Sequence, residues 1–415
     1  MEPLELAPVG EQERLASLDT LRGFALLGIL VMNVQSYSMP GSAYVFPHTY
    51  GDMGGLNGFV WSVGNLFFSQ KFMTIFSMLF GAGIVLMSER ARERGRGFAA
   101  LHYRRTGVLL AFGLVHAYLM WDGDILVPYA MCGFWLYFMR NVRPARLLAT
   151  GISLLALGSG LMLAAGLSAA YWPAEAREGL VAELNPSPER IAEILAAMRG
   201  GFLAQMSVRG PSSFEGHVMG FPFFLVWRVS GVMLIGMALF KWGVLTGRAA
   251  DRVYRSFVAL ALLVGLPAVW CGQRLSETFK DDVFRSLFVL GQFNYWASVL
   301  VALGWIGVLM LVARAGALSD LRRRLAAVGR MALSNYIMHT VIASFVFYGY
   351  GLGLFGHASR AAQLVFVGAV WALQLWLSPW WLRRFRYGPL EWLWRSLSYR
   401  KRQLFRVTPE FSRPE

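Results

Sequence analysis

The sequence predicts an all-α protein, a polytopic bundle of about ten transmembrane helices with both termini in the cytoplasm. Of the 415 residues, 56% are hydrophobic and only 15% are charged, and the mean hydropathy is +0.48. Apolar segments of about 17 to 25 residues recur along the chain, and each could cross a hydrocarbon core of about 30 Å as a helix. Basic residues gather between alternate apolar segments. This composition excludes a soluble globular domain, a disordered chain and a disulfide scaffold.

The ten predicted spans divide the chain into four regions that together form one integrated membrane domain. Residues 1–170 hold the N-terminal membrane helices, 171–220 an extracytoplasmic loop with an amphipathic helix, 221–385 the C-terminal membrane helices and 386–415 a basic cytoplasmic tail. The spans themselves are predicted at 18–39, 56–87, 106–121, 125–139, 147–170, 221–242, 257–274, 286–312, 331–350 and 361–381.

The positive charge of the chain is interpreted as a signal of topology. The net charge is +15 and the pI is about 10.2, values that would suggest nucleic-acid binding in a soluble protein. With a cytoplasmic N-terminus, however, 29 of the 39 basic residues fall in the six segments on the inner side. This agrees with the positive-inside rule. We therefore expect location in a membrane, contact with membrane lipid and no nucleic-acid partner.

Two segments depart from a simple pattern of spans and short loops. The second span is about 32 residues long and carries Asn65, Gln70 and Lys71 in its middle, which predicts a broken helix that lines a protein-filled or wet cavity. In the long loop, Ser-Pro-Glu at 187–189 is a typical helix start, and apolar residues follow at helical spacing up to Met198. This outer helix is either a lid over a cavity or a plain surface helix.

Polar residues within spans are the main candidates for a functional site, because their burial in a bilayer is costly. At 100° per residue, Asp19, Arg22 and Asn33 share one face of the first span. One interpretation makes this stripe part of a binding and catalytic site. The alternative is that Asp19 and Arg22 anchor the helix at the interface while Asn33 forms a hydrogen bond between helices.

The third span repeats this pattern and adds a candidate base. Arg105 and His116 are eleven residues apart and therefore aligned, and the turn that follows contains Asp122 and Asp124. Either carboxylate lies close enough in sequence to orient or charge the imidazole, which would then act as general base on a hydroxyl or amine. The alternative is a solvated turn and a histidine that only bonds a neighbouring helix.

Further polar residues complete the candidate set. Asn335 and His339 form an i, i+4 pair in the ninth span, and with Lys71 they are candidates for binding a donor or substrate. Zinc-ligand spacings, Gly-rich phosphate loops and GxSxG patterns are absent from the sequence, so we expect no metal and no bound cofactor. The glycines of LFGAGIV at 79–85 indicate close helix packing.

Several motifs resemble those of the YeiB-like family, bacterial inner-membrane proteins whose C-terminal half is a domain of unknown function. Taken together the motifs are specific, and they extend over nearly the whole chain. They are LDTLRGFALLGILVMN at 18–33, KFMTIFSMLFGAG at 71–83, GLVHAYLMWDGDILVPYA at 113–130, GRMALSNYIMH at 329–339 and RYGPLEWLWRSLSY at 386–399.

The opening LDTLRG is also similar to the first span of the wider transmembrane acyltransferases, which include the heparan glucosamine acetyltransferases. That resemblance implies transfer of an acyl group from a cytoplasmic CoA thioester to an acceptor across the membrane. It also implies a catalytic histidine after the first helix. His48 has a broadly similar place, but its surrounding FPHTYG does not match. His116, within a motif of the closer family, is therefore the preferred base and His48 the second choice.

The leading functional hypothesis is a membrane acyltransferase with acyl-CoA as co-substrate and a glycan or lipid as acceptor. In it, Arg22 and Arg105 hold the CoA phosphates at the inner mouth, and His116 with Asp122 or Asp124 activates the acceptor. A transporter of a small anionic or proton-coupled solute is the first alternative. A non-catalytic membrane scaffold is the second. A homo-oligomer is compatible with each hypothesis.

Overall fold

The computed structural model describes residues 16–95 and 97–407, and within these ranges the regular structure is helical. Three of the 29 inner basic residues, Arg14, Arg96 and Arg413, lie outside the described part of the chain. The helices of the first half are α1 Ala16–Ser38, α2 Ser42–Val45, α3 Gly55–Phe67, α4 Lys71–Glu93, α5 Ala99–Val115, α6 Leu126–Leu136, α7 Pro144–Ser168, α8 Ala174–Leu184 and α9 Pro188–Arg199.

The second half is equally helical, and π-helical turns join several of its helices without a loop. One such turn, Gly216–Leu225, connects α10 to α11, and Ala261–Gly265 connects α12 to α13. The helices are α10 Phe202–Glu215, α11 Val226–Lys241, α12 Asp251–Leu260, α13 Leu266–Thr278, α14 Gly291–Arg314, α15 Ser319–Arg330, α16 Ala332–Phe347, α17 Arg360–Leu382 and α18 Pro389–Tyr399.

Seven helical segments in the described ranges are long and apolar enough to cross a membrane. Many side chains on their outer faces are apolar and exposed, for example Leu263 at 76% and Val365 at 74%, as expected of surfaces that contact lipid. Two shorter apolar helices are Leu126–Met139 and Ala332–Phe347. The seven segments are Ala16–Ser38, Gly55–Glu93, Pro144–Tyr171, Phe202–Lys241, Asp251–Thr278, Arg285–Arg314 and Arg360–Leu382.

The break expected in the second span is confirmed, and it lies between α3 and α4. Helix α3 ends at Phe67 and α4 begins at Lys71. Between them Gln70 adopts a left-handed conformation with φ of 64°, which is uncommon for a residue with a side chain. The amides of the neighbouring residues still find partners, since the N–H groups of Phe68 and Ser69 both bond to Gly64 O at 2.9 Å.

Residues 171–220 are more ordered than the expected loop. They contain α8, α9 and α10, and α10 runs on through the π-helical turn into α11. The expected helix start is confirmed, because Ser187 caps α9 by accepting a hydrogen bond from Arg190 N at 3.3 Å. Pro211 lies inside α10 without ending it. A high content of Pro, Glu and Ala suggested a loop here, and proline disfavours helix interiors in water.

Glycines let helix α11 lie directly against α4 and α7. A Cβ atom at Gly236 would overlap the backbone of Met78 on α4, and one at Gly81 would overlap Met233 on α11. Gly151 and Gly231 face each other in the same way between α7 and α11. Without a hydrophobic drive between helices in lipid, such close backbone contact is a main source of association.

Only part of the LFGAGIV prediction therefore holds. Gly81 packs against a neighbouring backbone as expected, whereas a side chain at Gly83 would meet no atom within 4 Å.

A second glycine contact fixes α1 to α15. A Cβ at Gly23 would overlap Leu325 O, and one at Gly329 would overlap Asp19 O. The contact places the start of α1 beside the end of α15. Arg22 and Arg330, which flank these glycines in sequence, are thereby brought to the same end of the bundle.

We predict that Gly236→Ala destabilises the protein by about 1–3 kcal/mol or more, because overpacking here displaces backbone rather than a flexible side chain. Thermal unfolding of the purified protein in detergent measures the change. Gly160→Ala is the matched control, since a Cβ at Gly160 on α7 meets no atom within 4 Å. Equal unfolding temperatures for the two variants would contradict this account of the α4 and α11 contact.

Candidate functional site

His116 and Asp124 form a buried pair at the end of α5. His116 begins the π-helical turn His116–Met120, and a short turn then leads to Asp124. The Nδ1 of His116 lies 2.7 Å from Oδ1 of Asp124, and the two side chains are 1% and 0% exposed. The other carboxylate oxygen, Oδ2, accepts a hydrogen bond from Val127 N at 2.7 Å. The carboxylate is therefore held by two donors in a site closed to solvent.

Two hydroxyl groups extend this pair into a chain of hydrogen bonds. The Nε2 of His116 is 2.8 Å from Thr340 Oγ1, which is itself 2.6 Å from the hydroxyl of Tyr37. Since an ionised carboxylate only accepts, the hydrogen of the imidazole lies on Nδ1 and Nε2 accepts from Thr340. Thr340 in turn accepts from Tyr37. This order of carboxylate, imidazole and hydroxyl is the arrangement in which histidine acts as general base.

Of the candidates Asp122, Asp124 and Asn33, the structure places Asp124 in contact with His116. Asp122 is half-buried and accepts a hydrogen bond from Ser212 Oγ at 2.8 Å, so Asp124 alone of the two pairs with His116. Asn33 is half-buried on α1. The contact from α1 to the His116 group comes instead from Tyr37, one turn further along the helix.

Tyr37 and Thr340 are members of the site that the sequence did not indicate. Thr340 lies one residue after His339 and four residues after Tyr336. A signal was present, because Tyr37 follows the predicted stripe by one helical turn from Asn33. Hydroxyl groups are common in membrane helices, however, and carry less burial cost than ionisable groups, so they did not stand out.

A cavity of about 290 Å³ opens at one end of the bundle and leads toward this pair. Its opening is lined by arginines from α1, α4, α5, α15 and α18. We call this group the arginine rim, and it consists of Arg22, Arg90, Arg105, Arg330 and Arg395. From the rim the lining continues along α1 to Ile29 and along α4 to Phe76. At 1.5 Å per helical residue this corresponds to a depth of roughly 10–20 Å.

The interior of the cavity is apolar and its deep end is aromatic. Leu26, Phe80, Leu109 and other apolar side chains line the walls, and Tyr129 and Tyr336 lie among the deepest residues. The ring of Tyr336 packs against the imidazole of His116 with 5.2 Å between their centroids. Tyr336 is thus the boundary between the cavity and the buried pair.

Contacts at the arginine rim hold its side chains in place. Arg22 forms an ion pair with Asp19 at 2.6 Å. The guanidinium of Arg105 stacks 4.2 Å from the centre of the Trp394 ring, and Trp394 Nε1 donates to Arg105 O at 2.8 Å. Helix α18 therefore forms one wall of the opening, and cations held over an aromatic face are well placed to meet an anionic ligand.

Glu391 connects α18 to the start of α16. Its Oε1 accepts from the backbone N–H groups of Leu333 at 2.6 Å and Ser334 at 3.0 Å. Its Oε2 accepts from the Ser334 hydroxyl at 2.6 Å. Burial raises the pKa of the Glu391 carboxyl, against the lowering effect of these donors. A carboxylate at a helix N-terminus is favourable, so this contact fixes α16, which carries Tyr336 and Thr340.

The structure brings together only some of the predicted binding residues. Asp19, Arg22 and Arg105 line the cavity, as does His102, whereas Lys71 is buried elsewhere, at the start of α4.

Two of the remaining candidates belong to a helix contact. His339 bonds through Nε2 to Gln374 Oε1 at 2.9 Å, and the Gln374 amide donates to Asn335 O at 2.9 Å. Asn335 also donates to Ser378 Oγ at 3.0 Å. Both residues thus connect α16 to α17 away from the cavity. His48, the second-choice base, is exposed on the short turn Pro47–Thr49.

Within the described residues the regular structure is helical, and seven helical segments are long and apolar enough to cross a membrane, which defines the class of membrane proteins. The chain belongs to the YeiB-like family. It is 32% identical to the uncharacterized protein YeiB of Escherichia coli (strain K12), over 94% of this chain and 97% of that protein. It is 31% identical to the uncharacterized protein YxaH of Bacillus subtilis (strain 168), over 95% and 96% respectively.

A family model described as "Protein of unknown function (DUF418)" matches residues 239–401. This region holds α12 to α18 and therefore includes Thr340, Tyr336 and Glu391, but neither His116 nor Asp124. The names of the two relatives assign no activity. Family membership thus confirms the resemblance seen in the motifs and leaves the function to be argued from the site.

We predict that Asp124→Asn lowers the free energy of unfolding by about 1–3 kcal/mol, whereas Asp122→Asn changes it by less than about 0.5 kcal/mol. An asparagine has one acceptor oxygen, so at position 124 either the Val127 N–H or the His116 Nδ1–H loses its buried partner. At position 122 the amide oxygen can still accept from Ser212. Thermal unfolding of both purified variants tests this, and a larger loss for Asp122→Asn would contradict the assigned pairing.

Proposed function

We propose that the protein is an integral membrane acyltransferase that moves an acyl group from a cytoplasmic CoA donor to an extracytoplasmic or membrane-borne acceptor. The observation that carries the proposal is the path from the arginine rim, through the apolar cavity, to Tyr336 and the buried His116 behind it. A cationic opening and an apolar interior match the two halves of an acyl-CoA. The imidazole and carboxylate match a general base and its orienting group.

The donor would bind with its phosphates at the arginine rim and its acyl group in the cavity. Guanidinium groups bind phosphate through paired hydrogen bonds, and Arg105 is already ordered by Trp394. The pantetheine arm would lie among Leu26, Phe80 and Leu109, which line the walls between the rim and the deep end. Its thioester carbonyl would then lie toward Tyr336 and the imidazole.

His116 would supply the proton transfer. The Nε2 atom takes the proton of an acceptor hydroxyl, from a glycan or a lipid, as that oxygen forms a bond to the acyl carbon. The carbon–sulfur bond breaks, and the imidazolium returns the proton to the leaving thiolate. Asp124 stabilises the imidazolium meanwhile. The Thr340 hydroxyl, 2.8 Å from Nε2, occupies the place where the acceptor hydroxyl would bond.

This function needs a defined orientation, and we propose ten spans in a bacterial inner membrane with both termini in the cytoplasm. The seven long segments, the two shorter apolar helices and α5 supply the ten. Support comes from the arginine rim, because its residues belong to four segments that the positive-inside rule assigns to one side. Lys241 donates to Val142 O at 2.8 Å, and this contact connects two more of these segments.

A transporter of a small anionic or proton-coupled solute is the second candidate, and the break between α3 and α4 favours it. Broken helices at membrane depth commonly hold the substrate or coupling ion of transporters. Here the break adjoins the buried Lys71. Turnover of acyl-CoA by the purified protein supports the first candidate, and uptake of a solute into vesicles without acyl-CoA consumption supports the second.

We predict that His116→Gln lowers acyl-CoA turnover by roughly a hundredfold or more while the protein remains folded. Glutamine can still bond to Thr340 or Asp124, but it cannot accept a proton at neutral pH. Release of CoA thiol from a labelled acyl-CoA by purified protein measures turnover, and size-exclusion profiles report folding. His48→Gln is the control and should keep wild-type turnover. The opposite result for the two histidines would move the base to His48.

Donor binding gives a separate prediction. Arg105→Ala should raise the dissociation constant of a non-hydrolysable acyl-CoA thioether by roughly tenfold, because a charge-assisted contact contributes about 1.5–3 kcal/mol. Gly83→Leu should also weaken binding, since Gly83 lines the cavity and has open space around its Cα. Equilibrium dialysis measures both effects.

Each donor-binding variant has a matched control away from the cavity. Arg323→Ala removes an exposed arginine on α15 that pairs with Asp320, and Gly160→Leu adds the same side chain at an open position on α7. Both controls should bind the thioether as the wild type does. Unchanged binding by Arg105→Ala and Gly83→Leu would exclude the cavity as the donor site.

A further inference from the structure

Two cationic side chains, Lys71 and Arg228, are buried in a part of the bundle that the cavity does not reach. Lys71 begins α4 and is 0% exposed, and Arg228 lies in the first turn of α11 and is 5% exposed. Neither belongs to the cavity lining. We call them the buried cation pair.

Every hydrogen-bond acceptor of the buried cation pair is a neutral group. Lys71 Nζ donates to Asn65 O and to Asn294 Oδ1, both at 2.6 Å. Arg228 has three acceptors, one of them a backbone carbonyl. These are Tyr295 O at 2.7 Å, Ser298 Oγ at 2.7 Å and Thr74 Oγ1 at 3.1 Å. Throughout the described ranges, neither cation forms an ion pair with a carboxylate.

The two cations lie near each other because their partners are neighbours. Asn294, which accepts from Lys71, precedes Tyr295, which accepts from Arg228. Thr74, the third partner of Arg228, is three residues from Lys71 on α4. Two positive charges are thus held against one stretch of α14.

Some N–H groups of the buried cation pair have no hydrogen-bond acceptor among the described residues. The Nε of Arg228 is buried and has no hydrogen-bond partner within the described residues. An ammonium has three N–H donors, and Lys71 has two acceptors. Buried charges in proteins are normally paired, because the loss of water is costly for each ion. Two like charges side by side add repulsion to that cost, and a bound anion would offset both.

We propose that Lys71 and Arg228 bind a small monovalent inorganic anion, a halide such as chloride, at the break between α3 and α4. Because both cations are buried, an anion must lose its water to reach them, and a monovalent halide costs less to dehydrate than phosphate does. A chain of amide and hydroxyl groups leads to this place. Gln273 donates to Ser62 Oγ at 2.7 Å and accepts from Asn65 at 3.3 Å, and Asn65 O contacts Lys71. The site does not depend on the proposed acyl transfer.

The first test is ion binding to the full-length protein in detergent. Labelled chloride in equilibrium dialysis should bind at about one ion per chain and be displaced by bromide. The temperature of thermal unfolding should rise by a few degrees, and reach a plateau, as sodium chloride replaces sodium gluconate at constant ionic strength. The reason is that a ligand that binds only the folded state stabilises it. Absence of chloride binding, or equal unfolding temperatures in the two salts, overturns the proposal.

Variants then locate the ion. Arg228→Gln and Lys71→Met should each lower chloride binding at least tenfold and remove the difference between the two salts. Arg360→Gln is the matched control, because Arg360 is 1% exposed and its hydrogen-bond acceptors among the described residues are backbone carbonyls, those of Tyr50 at 3.3 Å and Pro47 at 3.1 Å. Loss of chloride binding in this control, with binding retained in the other two variants, overturns the assignment.

A crystallographic measurement decides the matter if either variant fails to fold. Wild-type crystals grown in bromide should show an anomalous peak in contact with both Lys71 Nζ and the Arg228 guanidinium. A peak elsewhere, or none at this position under saturating bromide, would show that the cations are not a halide site.

Discussion

Lipid offers no hydrogen-bond partner, so the buried polar side chains of this bundle depend on one another and on the backbone for their hydrogen bonds. That requirement determines which helices are tied together. The chain from Asp124 through His116 and Thr340 to Tyr37 joins the turn after α5 to α16 and α1. Glu391 satisfies the first amides of α16 from α18. The positions of the candidate base and of the cavity wall therefore follow from hydrogen-bond satisfaction as much as from apolar packing.

Glycine determines how closely the remaining helices approach. Where Gly81, Gly231 and Gly236 face a neighbouring backbone, α4, α11 and α7 form a closely packed unit. Where Gly83 faces open space, the same helix borders the cavity. On this turn of α4, Gly81 therefore packs against α11 while Gly83 borders the cavity.

Much of this organisation could be predicted from the sequence, and the exceptions have physical causes. Composition and charge indicated a membrane bundle, and the cost of burying charge singled out His116 and its carboxylate. Spacing could not tell Asp122 from Asp124, because a tight turn decides which one points inward. Lys71 was assigned to donor binding on its cost of burial alone, yet the break in the helix turns it toward α14. Residues 171–220 were interpreted as a loop because they are rich in Pro, Glu and Ala, a composition that is polar overall and contains a residue that breaks helices in water.

Neighbouring side chains cover both the Nε2 atom of His116 and the ring face toward the cavity. A substrate could reach the imidazole only after these side chains move. Thr340 occupies its Nε2, while Tyr336 lies between its ring and the cavity. Both residues are on α16, one turn apart and on the same face. A single rotation or shift of α16 would withdraw the hydroxyl from Nε2 and the ring from the cavity wall together. Glu391 holds the first turn of α16 to α18, and α18 also stacks on Arg105 through Trp394. One wall of the arginine rim and the restraint on α16 therefore belong to the same helix, so a ligand bound at the rim would contact the helix that restrains this movement.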